Sequence, residues 1–369
     1  MREFATFEER LSAWTAEAMQ KVFGLSDSGV NLGVSPTNIE KFGDYQCNAA
    51  MTLAKELKKA PRQIAQEFVD AAELPDFVEK IEIAGPGFIN FFLSNTAIAK
   101  HIEELESDPH LGCEQVGRGN TVIIDYSSPN VAKSMHIGHI RSTVIGNAID
   151  RLYRFLGYNV VADNHLGDWG TQFGLMLVGY REFVNEDALA ESPVEELERI
   201  YVASYNKSKE DDSWRDLAKS ELVKLQQGDA ENRALWEKFI ELSIGEFNKI
   251  YARLGVGFDL YRGESFYNDR LPKIIEQLEA KGLAKESDGA LIVDLEEDGM
   301  PVCIVRKSDG GYNYATTDLA TVEARIEEFQ PERIIYVTDE RQQLHFRQFF
   351  NIADKLGMEA NLVHVSFGL

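Results

Sequence analysis

Residues 121–163 decide the fold, and they read TVIIDYSSPNVAKSMHIGHIRSTVIGNAIDRLYRFLGYNVVAD. The first run, TVIIDYS, is apolar and β-branched, which is typical of a buried strand. A helix is predicted from about His139 to Leu156, with Gly157 as its stop, and YNVVAD has the pattern of a second strand. Strand, helix and strand in this order predict an α/β domain with a doubly wound parallel sheet.

The predicted helix carries an apolar residue at every fourth position, and we expect this stripe to be buried against the sheet. The α/β alternation returns near the end of the sequence, in TTDLATVEARIEEF, RIIYVTD, QLHFRQFFNIADKLG and NLVHVSFGL. The members of the helical stripe are Ile140, Val144, Ala148, Leu152 and Leu156.

Composition changes along the chain predict two domains. Residues 1–116 mix helical patterns with short strand-like runs, the last of which follows a Gly-Pro-Gly turn in IEIAGPGFINFFLS, so we expect a small α+β domain. The polar, glycine-rich SDPHLGCEQVGRGN is the expected linker, and the α/β domain would then span 117–369. Within it, residues 181–300 are helical and charged and then hairpin-like, which predicts an insertion.

Charge and hydropathy exclude some classes of protein. No apolar run approaches the roughly 18 residues of a membrane span, and MREFATFEER lacks the apolar segment of a signal peptide, so we expect a cytoplasmic protein without a membrane partner. Three widely spaced cysteines, Cys47, Cys113 and Cys303, predict neither disulfides nor a Cys-x-x-Cys metal site. The net charge of −23 argues against nucleic acid, although KELKKAPR and NVAKSMHIGHIRS are locally basic.

The segment SSPNVAKSMHIGHIRS joins the first strand of the α/β domain to its first helix. Ligands bind at this crossing in open α/β sheets, and the unpaired N–H groups of a helix N-terminus favour anions. His136 and His139 are three residues apart, Gly138 has no side chain to obstruct a ligand, and Lys133 adds a charge. The structural alternative is that the histidines merely cap and pack the helix entry. The combination at this position favours a phosphate site.

These motifs resemble those of a known family. HIGH at 136–139 matches the signature of class I aminoacyl-tRNA synthetases, and the preceding SSPNVAK resembles the form found in arginyl-tRNA synthetases. The segments FGDYQCNAA, GPGFINF, NHLGDWGTQFG, YNYATTDLA and YVTDERQQLHFRQF resemble that family in the same order. The resemblance therefore extends over nearly the whole chain.

The resemblance implies activation of L-arginine by ATP and transfer of the arginyl group to the 2′-hydroxyl of the terminal adenosine of tRNA(Arg). Lys133, His136 and His139 would be the catalytic residues, because in-line displacement at phosphorus needs alignment and charge stabilisation rather than a general base. The same three residues, with Ser128 and Gly138, would bind ATP, and Mg²⁺ would arrive with the nucleotide. We expect no bound organic cofactor and no zinc.

By the same resemblance, five residues would bind arginine. Asp125 and Asp318 suit a planar guanidinium held by carboxylates, and Tyr314 would line the side-chain pocket. Asn130 and Gln342 would hold the α-amino end. The structural alternatives are a first-turn acid at Asp318, favoured by the helix dipole, and a strand-end acid facing water at Asp125.

Two further segments are interpreted through the family. In GPGFIN, Phe88 and Asn90 would contact the D-loop at the tRNA elbow, since a ring can stack on a base while an amide reads its edge; the alternative is a core Phe and a turn Asn. In NHLGDWGTQFG, His165, Gly167 and Asp168 could contact the nucleotide or the terminal adenosine of the tRNA, although turn-forming Gly and Asp explain them nearly as well.

The family's lysine-rich second ATP loop and its anticodon-binding domain would follow VSFGL, so we interpret the chain as the N-terminal part of a synthetase and expect a monomer. Two alternatives stay open: an adenylyl-transferring enzyme of the same fold acting on another small acid, and a non-catalytic tRNA-binding relative. A zinc hydrolase built on His136, His139 and His165 is disfavoured, since no Glu accompanies the His-x-x-His pair.

Overall fold

A computed structural model describes residues 5–25 and 33–368 of the chain. The chain forms two compact units, Met1–Glu114 and Gln115–Leu369, and each has its own sheet and core. None of the described helices is long and apolar enough to cross a membrane.

The N-terminal unit is an antiparallel four-stranded sheet in the order β1-β2-β4-β3, packed against helices. Its first helix begins at a capping box, in which Thr6 Oγ accepts from the Glu9 N–H and the Glu9 carboxylate accepts from the Thr6 N–H. The expected Gly-Pro-Gly turn joins β3 to β4, and Gly85 lies at φ +53°. The strands are β1 (Val34–Pro36), β2 (Tyr45–Cys47), β3 (Val78–Ala84) and β4 (Phe88–Leu93), and the helices are α1 (Phe7–Phe23), α2 (Ala49–Leu57), α3 (Pro61–Ala71) and α4 (Asn95–Ser107).

The second unit contains a five-stranded sheet in which every pair is parallel, in the order β12-β11-β5-β6-β7. Alternate residues of the central strands face opposite helical layers, so both faces are buried. The predicted doubly wound α/β sheet is confirmed. Its strands are β5 (Thr121–Asp125), β6 (Asn159–Asn164), β7 (Leu260–Tyr261), β11 (Arg333–Asp339) and β12 (Asn361–Phe367), flanked by α5 (Ile137–Phe155), α12 (Tyr314–Phe329) and α13 (Gln343–Leu356).

The predicted buried stripe on α5 is wrong. Val144 and Leu152 are 49% and 61% exposed, and Ala148 is exposed too. A repeat of four residues turns 40° per step around a helix of 3.6 residues per turn, so it cannot follow one face over four steps. The face that is buried is made of small and polar residues. They are Gly138, Ser142, Thr143, Gly146 and Asp150.

Small residues on α5 allow a close approach to the sheet. A Cβ at Gly146 would lie 2.3 Å from the Cβ of Tyr126, so only glycine fits there. Ser142 and Thr143 face inward because their hydroxyls bond to Val337 O and to Ser127 Oγ.

The segment between β6 and β11 is helical and then antiparallel. Its strand β7 pairs with the end of β6, which ties the segment to the main sheet. The hairpin-like pattern corresponds to β9 and β10, with β8 alongside. The helices are α6 (Gln172–Phe183), α7 (Glu186–Glu191), α8 (Pro193–Glu210), α9 (Asp212–Gln226), α10 (Ala230–Leu254) and α11 (Leu271–Ala280), and the strands are β8 (Ala284–Ser287), β9 (Ala290–Val293) and β10 (Cys303–Arg306).

Candidate active site

Acidic and amide side chains collect where the parallel strands end. Asp125 ends β5, Asn164 ends β6 and Asp339 ends β11. The carboxyl ends of parallel strands form one edge of the sheet, which is where open α/β sheets bind their ligands.

The loop after β5 is held in an unusual backbone conformation. Ser127, Ser128 and Ala132 have φ values of +72°, +47° and +61°, each of which is costly for a residue with a side chain. The N–H of each of the three is anchored by a side chain from another element: Ser142 Oγ at 2.9 Å, Asn164 Oδ1 at 3.1 Å and Ser243 Oγ at 2.9 Å, respectively. The loop is therefore preorganised by these bonds.

The segment NHLGDWG forms the neighbouring wall of this loop. Val131 N–H donates to Gly167 O, and Gly167 N–H donates to Pro129 O. A Cβ at Gly167 would lie 2.2 Å from Asn130 Oδ1, so the glycine makes room for the Asn130 side chain. Asp168 is buried and accepts from the N–H and Oγ of Ser265. These contacts explain Gly167 and Asp168 structurally.

Helix α10 supports both loops through three side chains on one face. The Tyr251 hydroxyl lies 2.7 Å from Ser127 Oγ and accepts from Asn164 Nδ2 at 3.0 Å, while Ser243 holds the N–H of Ala132. Trp236 Nε1 donates to the carbonyl of Asp168 at 2.8 Å. Sequence reasoning missed these three residues. Their spacing of seven residues from Trp236 to Ser243 and eight from Ser243 to Tyr251 places them on one face of a helix and was the available signal.

The two histidines of HIGH cap the N-terminus of α5 reciprocally. His136 Nδ1 accepts from the N–H of Gly138 at 3.1 Å, His139 Nδ1 accepts from the N–H of His136 at 3.3 Å, and the rings stack with centroids 3.8 Å apart. A neutral imidazole that accepts at Nδ1 carries its proton on Nε2. Burial and the neighbouring His136 lower the pKa of His139 to about 4, so it is a neutral donor at pH 7. Capping therefore uses Nδ1 of each ring and leaves Nε2 for another contact.

The other two residues predicted to meet phosphate have protein contacts of their own. Lys133 is exposed, with Nζ 5.5 Å from the centre of the Tyr201 ring. Ser128 Oγ donates to Asp125 Oδ1 at 2.9 Å, so in this conformation its proton points at the carboxylate.

Arg325, which sequence reasoning missed, is buried beneath the strand ends. Its Nη2 donates to Asp125 Oδ2 at 2.6 Å and to Asp163 Oδ2 at 2.8 Å, and the residue is 1% exposed. Both oxygens of Asp125 are thus engaged, one by Ser128 and one by Arg325. Within residues 5–25 and 33–368, Nε and Nη1 of Arg325 have no hydrogen-bond partner.

The remaining residues predicted to bind arginine lie on α12 and after β11. Tyr314 is 68% exposed and begins α12, Asp318 lies one turn later, and Gln342 is exposed. Asp318 Oδ2 lies 2.6 Å from His345 Nε2, a second contact that sequence reasoning missed. Burial, followed by the charges of Asp318 and Asp168, raises the pKa of Glu264 to about 8, so a protonated carboxyl group also lies near Asp318.

The two residues predicted to bind the tRNA elbow are less accessible than expected. Phe88 is half-buried, and Asn90 is 1% exposed with its Oδ1 accepting from Gln46 Nε2 at 2.7 Å. In this structure the Asn90 amide is held within the sheet, and its contact with tRNA stays a prediction. Strand β4 is central, and Asn90 lies between Gln46 of β2 and Glu82 of β3 across the sheet.

Comparisons with known proteins agree with this geometry. The family model described as tRNA synthetases class I (R), catalytic domain, matches residues 101–369, and that of the arginyl tRNA synthetase N terminal domain matches residues 9–93. Among curated relatives, the arginine–tRNA ligase of Fusobacterium nucleatum is 50% identical over 89% of the chain and 58% of its own length. That of Picosynechococcus is 44% identical over 98% of the chain and 63% of its own length.

Solved structures give the same picture. The arginyl-tRNA synthetase of Plasmodium falciparum matches with a TM-score of 0.70 and 30% identity, over 98% of the chain and 65% of that protein. The Thermus thermophilus arginyl-tRNA synthetase shares the fold with a TM-score of 0.64 at 23% identity. The chain thus spans 58% and 63% of the two curated relatives.

Proposed function

Because the chain belongs to the class I arginyl-tRNA synthetases, we propose that it activates L-arginine with ATP and serves in the transfer of the arginyl group to tRNA(Arg). The observation that carries the proposal is the reciprocal capping of His136 and His139, which leaves both Nε2–H groups available at the N-terminus of α5. A helix N-terminus with additional donors is suited to the phosphates of a nucleotide.

The activation step needs little acid–base chemistry. The arginine carboxylate, already ionised at neutral pH, attacks the α-phosphorus, and pyrophosphate leaves with the electron pair of the broken P–O bond. His136, His139 and Lys133 would stabilise the charge that develops on the phosphates, with Gly138 allowing close approach and Ser128 as a further contact. Mg²⁺ would come with ATP.

Asp318 is the strongest candidate for the guanidinium. In the described part of the chain, its carboxylate has one side-chain hydrogen bond, to His345 through Oδ2, so Oδ1 is left for a ligand. Tyr314 stands one helical turn earlier on the same face. Asp125 would act as a second acceptor, because a carboxylate engaged by two donors still has lone pairs.

We assign the opposite end of the amino acid to Asn130 and Gln342. Asn130 Oδ1 fills the space left by Gly167, beside the preorganised loop. Gln342 ends the short helical turn Glu340–Gln342 that follows β11.

For the rest of the chain, we propose that residues 1–116 are the additional domain that contacts the tRNA elbow and that 117–369 are the catalytic domain, with 181–300 an insertion. Phe88 would provide the tRNA contact, and Asn90 would act through Gln46, which it holds. We further propose a monomer acting in the cytoplasm, where translation consumes charged tRNA; light scattering on the purified chain would test its oligomeric state.

ATP–pyrophosphate exchange with each of the twenty amino acids, with and without tRNA(Arg), tests the function. We expect exchange with L-arginine and with none of the other nineteen amino acids. Exchange with another small acid, unaffected by tRNA, would favour a different adenylyl-transferring enzyme. Binding of tRNA with neither exchange nor ATP binding would favour a non-catalytic relative.

A further inference from the structure

We infer that His345 is a positioning residue of the arginine site, whose imidazole orients Asp318 and, through its own protonation, sets how much carboxylate charge is available to the substrate guanidinium. The inference rests on the proposed function, since it assigns Asp318 to the guanidinium. It adds a proton-linked control of arginine affinity.

The geometry is a direct contact between two helices. His345 lies in the first turn of α13 and Asp318 in the second turn of α12, and Nε2 is 2.6 Å from Oδ2. The two side chains are 32% and 23% exposed, so the pair is partly accessible to solvent rather than fully buried in the core. The His345 ring also packs against Phe346 and Phe349, with centroids 5.7 Å and 5.3 Å away, which fixes its orientation.

Asp318 is the dominant charge that His345 experiences. Burial lowers the pKa of His345, but the hydrogen bond and the charge of Asp318 together outweigh burial, so the pKa lies above its ordinary value of 6.5. At any given pH, the imidazole is therefore charged more often than one without this carboxylate partner. Each charged His345 neutralises a carboxylate that the substrate would otherwise meet bare.

Four other titratable groups interact with this pair, and one of them, Tyr336 of β11, has a pKa raised mainly by burial, so it stays protonated. His364 of β12 has a pKa lowered by burial and by His345, so it is neutral above pH 6.5. The thiol of Cys303 of β10 has a pKa raised to about 11 by burial and by Asp318, so it stays protonated. Glu264 has a pKa of about 8, so it titrates near the same range and must be separated from His345 by experiment.

Competition between two cations follows from this arrangement. A guanidinium at Oδ1 of Asp318 offsets the carboxylate charge that favours the imidazolium at Oδ2, so bound arginine lowers the pKa of His345. Linkage is reciprocal: protonation of His345 must weaken arginine binding by the same factor. A decrease of one unit in the His345 pKa on binding corresponds to a tenfold difference in arginine affinity between the two protonation states.

The direct test is an NMR titration of the histidine side chains in the full chain, from pH 5.5 to 8.5, with and without saturating L-arginine. The chain has seven histidines, and H345Q identifies the resonance. We expect the His345 pKa to fall toward or below 6.5 in arginine and to stay raised in L-citrulline, which has the same shape but no charge. An unchanged His345 pKa in saturating arginine would overturn the inference.

Calorimetry with the same ligands separates His345 from Glu264. In E264Q, we expect the affinity for arginine to rise several-fold between pH 6.5 and 8.5, because His345 still titrates. In E264Q/H345Q, we expect the affinity to be constant and close to the high-pH value, since the glutamine amide still donates to Asp318. A pH-dependent double variant, or a flat E264Q, would contradict the inference.

The controls distinguish this inference from the proposed function. If arginine binds but its affinity does not depend on the protonation of His345, and binding does not change the His345 pKa, the inference alone is overturned. If folded wild-type protein, with a cooperative melting transition, does not bind arginine at any pH, both the inference and the proposed function are overturned. Should H345Q fail to fold, the wild-type NMR titration with arginine and citrulline still decides.

Discussion

The Tyr251 hydroxyl lies 2.7 Å from Ser127 Oγ and thereby connects the longest described helix to the loop on which the proposed nucleotide site is built. Tyr251 is 2% exposed, and the same hydroxyl accepts from Asn164. Ser127, whose φ is positive, is thus held by Ser142 at its N–H and by Tyr251, 124 positions away, at its hydroxyl.

Removal of this hydroxyl should loosen the loop. We predict that Tyr251→Phe lowers the free energy of unfolding by about 1–3 kcal/mol, because Asn164 and Ser127 lose a buried partner. Urea unfolding measures the loss. The matched control is Tyr261→Phe, whose hydroxyl bonds to Asn248 at the surface and should change stability by less than about 0.5 kcal/mol. Equal effects in the two variants would refute the role of Tyr251.

His136 allows its two functions to be separated. Asparagine is a good N-cap, so His136→Asn should keep the melting temperature and reduce ATP–pyrophosphate exchange by a factor on the order of 10². His136→Ala should lose the same activity and, in addition, about 1 kcal/mol of stability. Exchange that survives in His136→Asn but not in His136→Ala would show that capping is the residue's main function.

Asp318→Asn should weaken arginine binding by about 2–5 kcal/mol, since the guanidinium loses its charged partner. The variant keeps the size of the side chain and an oxygen that can accept from His345. Calorimetry with L-arginine measures the loss, and Asp269→Asn, at an exposed carboxylate, is the control. Unchanged affinity in Asp318→Asn would remove Asp318 from the pocket.

Glu264 should make stability fall as pH rises. The folded chain holds this proton until about pH 8, whereas the unfolded chain releases it near 4.5, so the folded state binds more protons between these values. We predict that Glu264→Gln is stabilised relative to the wild type, and more at pH 8 than at pH 5. Urea unfolding at both values tests this, with the exposed Glu276→Gln as control. A difference that shrinks with pH would contradict the assignment.

Phe88→Ala should cost about 1–3 kcal/mol of tRNA(Arg) affinity if the ring stacks on a base. Phe92→Ala is the matched control, because Phe92 lies on the same face of β4 but is covered by Lys80. Changing Lys58 and Lys59 should instead reduce the salt dependence of binding. ATP and arginine binding should survive all of these changes. A footprint without D-loop protection would leave Phe88 as a packing residue.

Local patterns were sufficient for the main features of the fold. The strand–helix–strand order of 121–163 predicted the parallel sheet, and the motifs around HIGH indicated the family, which the comparisons confirm. Both depend on neighbours in sequence. The prediction of an α5 stripe failed because a repeat of four residues drifts around the helix. The buried positions hold glycines, hydroxyl-bearing residues and Asp150, and Ile145, Ile149 and Tyr153 pack against the sheet beside them.

The contacts that complete the site could not be predicted in this way. Arg325 is 200 residues from Asp125, and Tyr251 is 87 residues from Asn164. The sequence does not distinguish a buried arginine from an exposed one, and the helical pattern of α12 does not indicate which carboxylates Arg325 contacts. His345 and Glu264 were missed for the same reason, since they matter because they lie close to Asp318 in the fold.

The separation in sequence between Arg325 and its partners also affects the order in which parts of the sheet can form during synthesis on the ribosome. Strands β5 and β6 can pair as soon as residue 164 has emerged, which brings Asp125 and Asp163 side by side in the nascent chain. Their counter-charge, Arg325, is 162 residues beyond Asp163 and follows after roughly 8–32 s of synthesis at about 5–20 residues per second. Until then, water or protons must stabilise the two carboxylates. The ion pairs of Arg325 beneath the candidate site can therefore form only when α12 has been synthesised, long after β5 and β6.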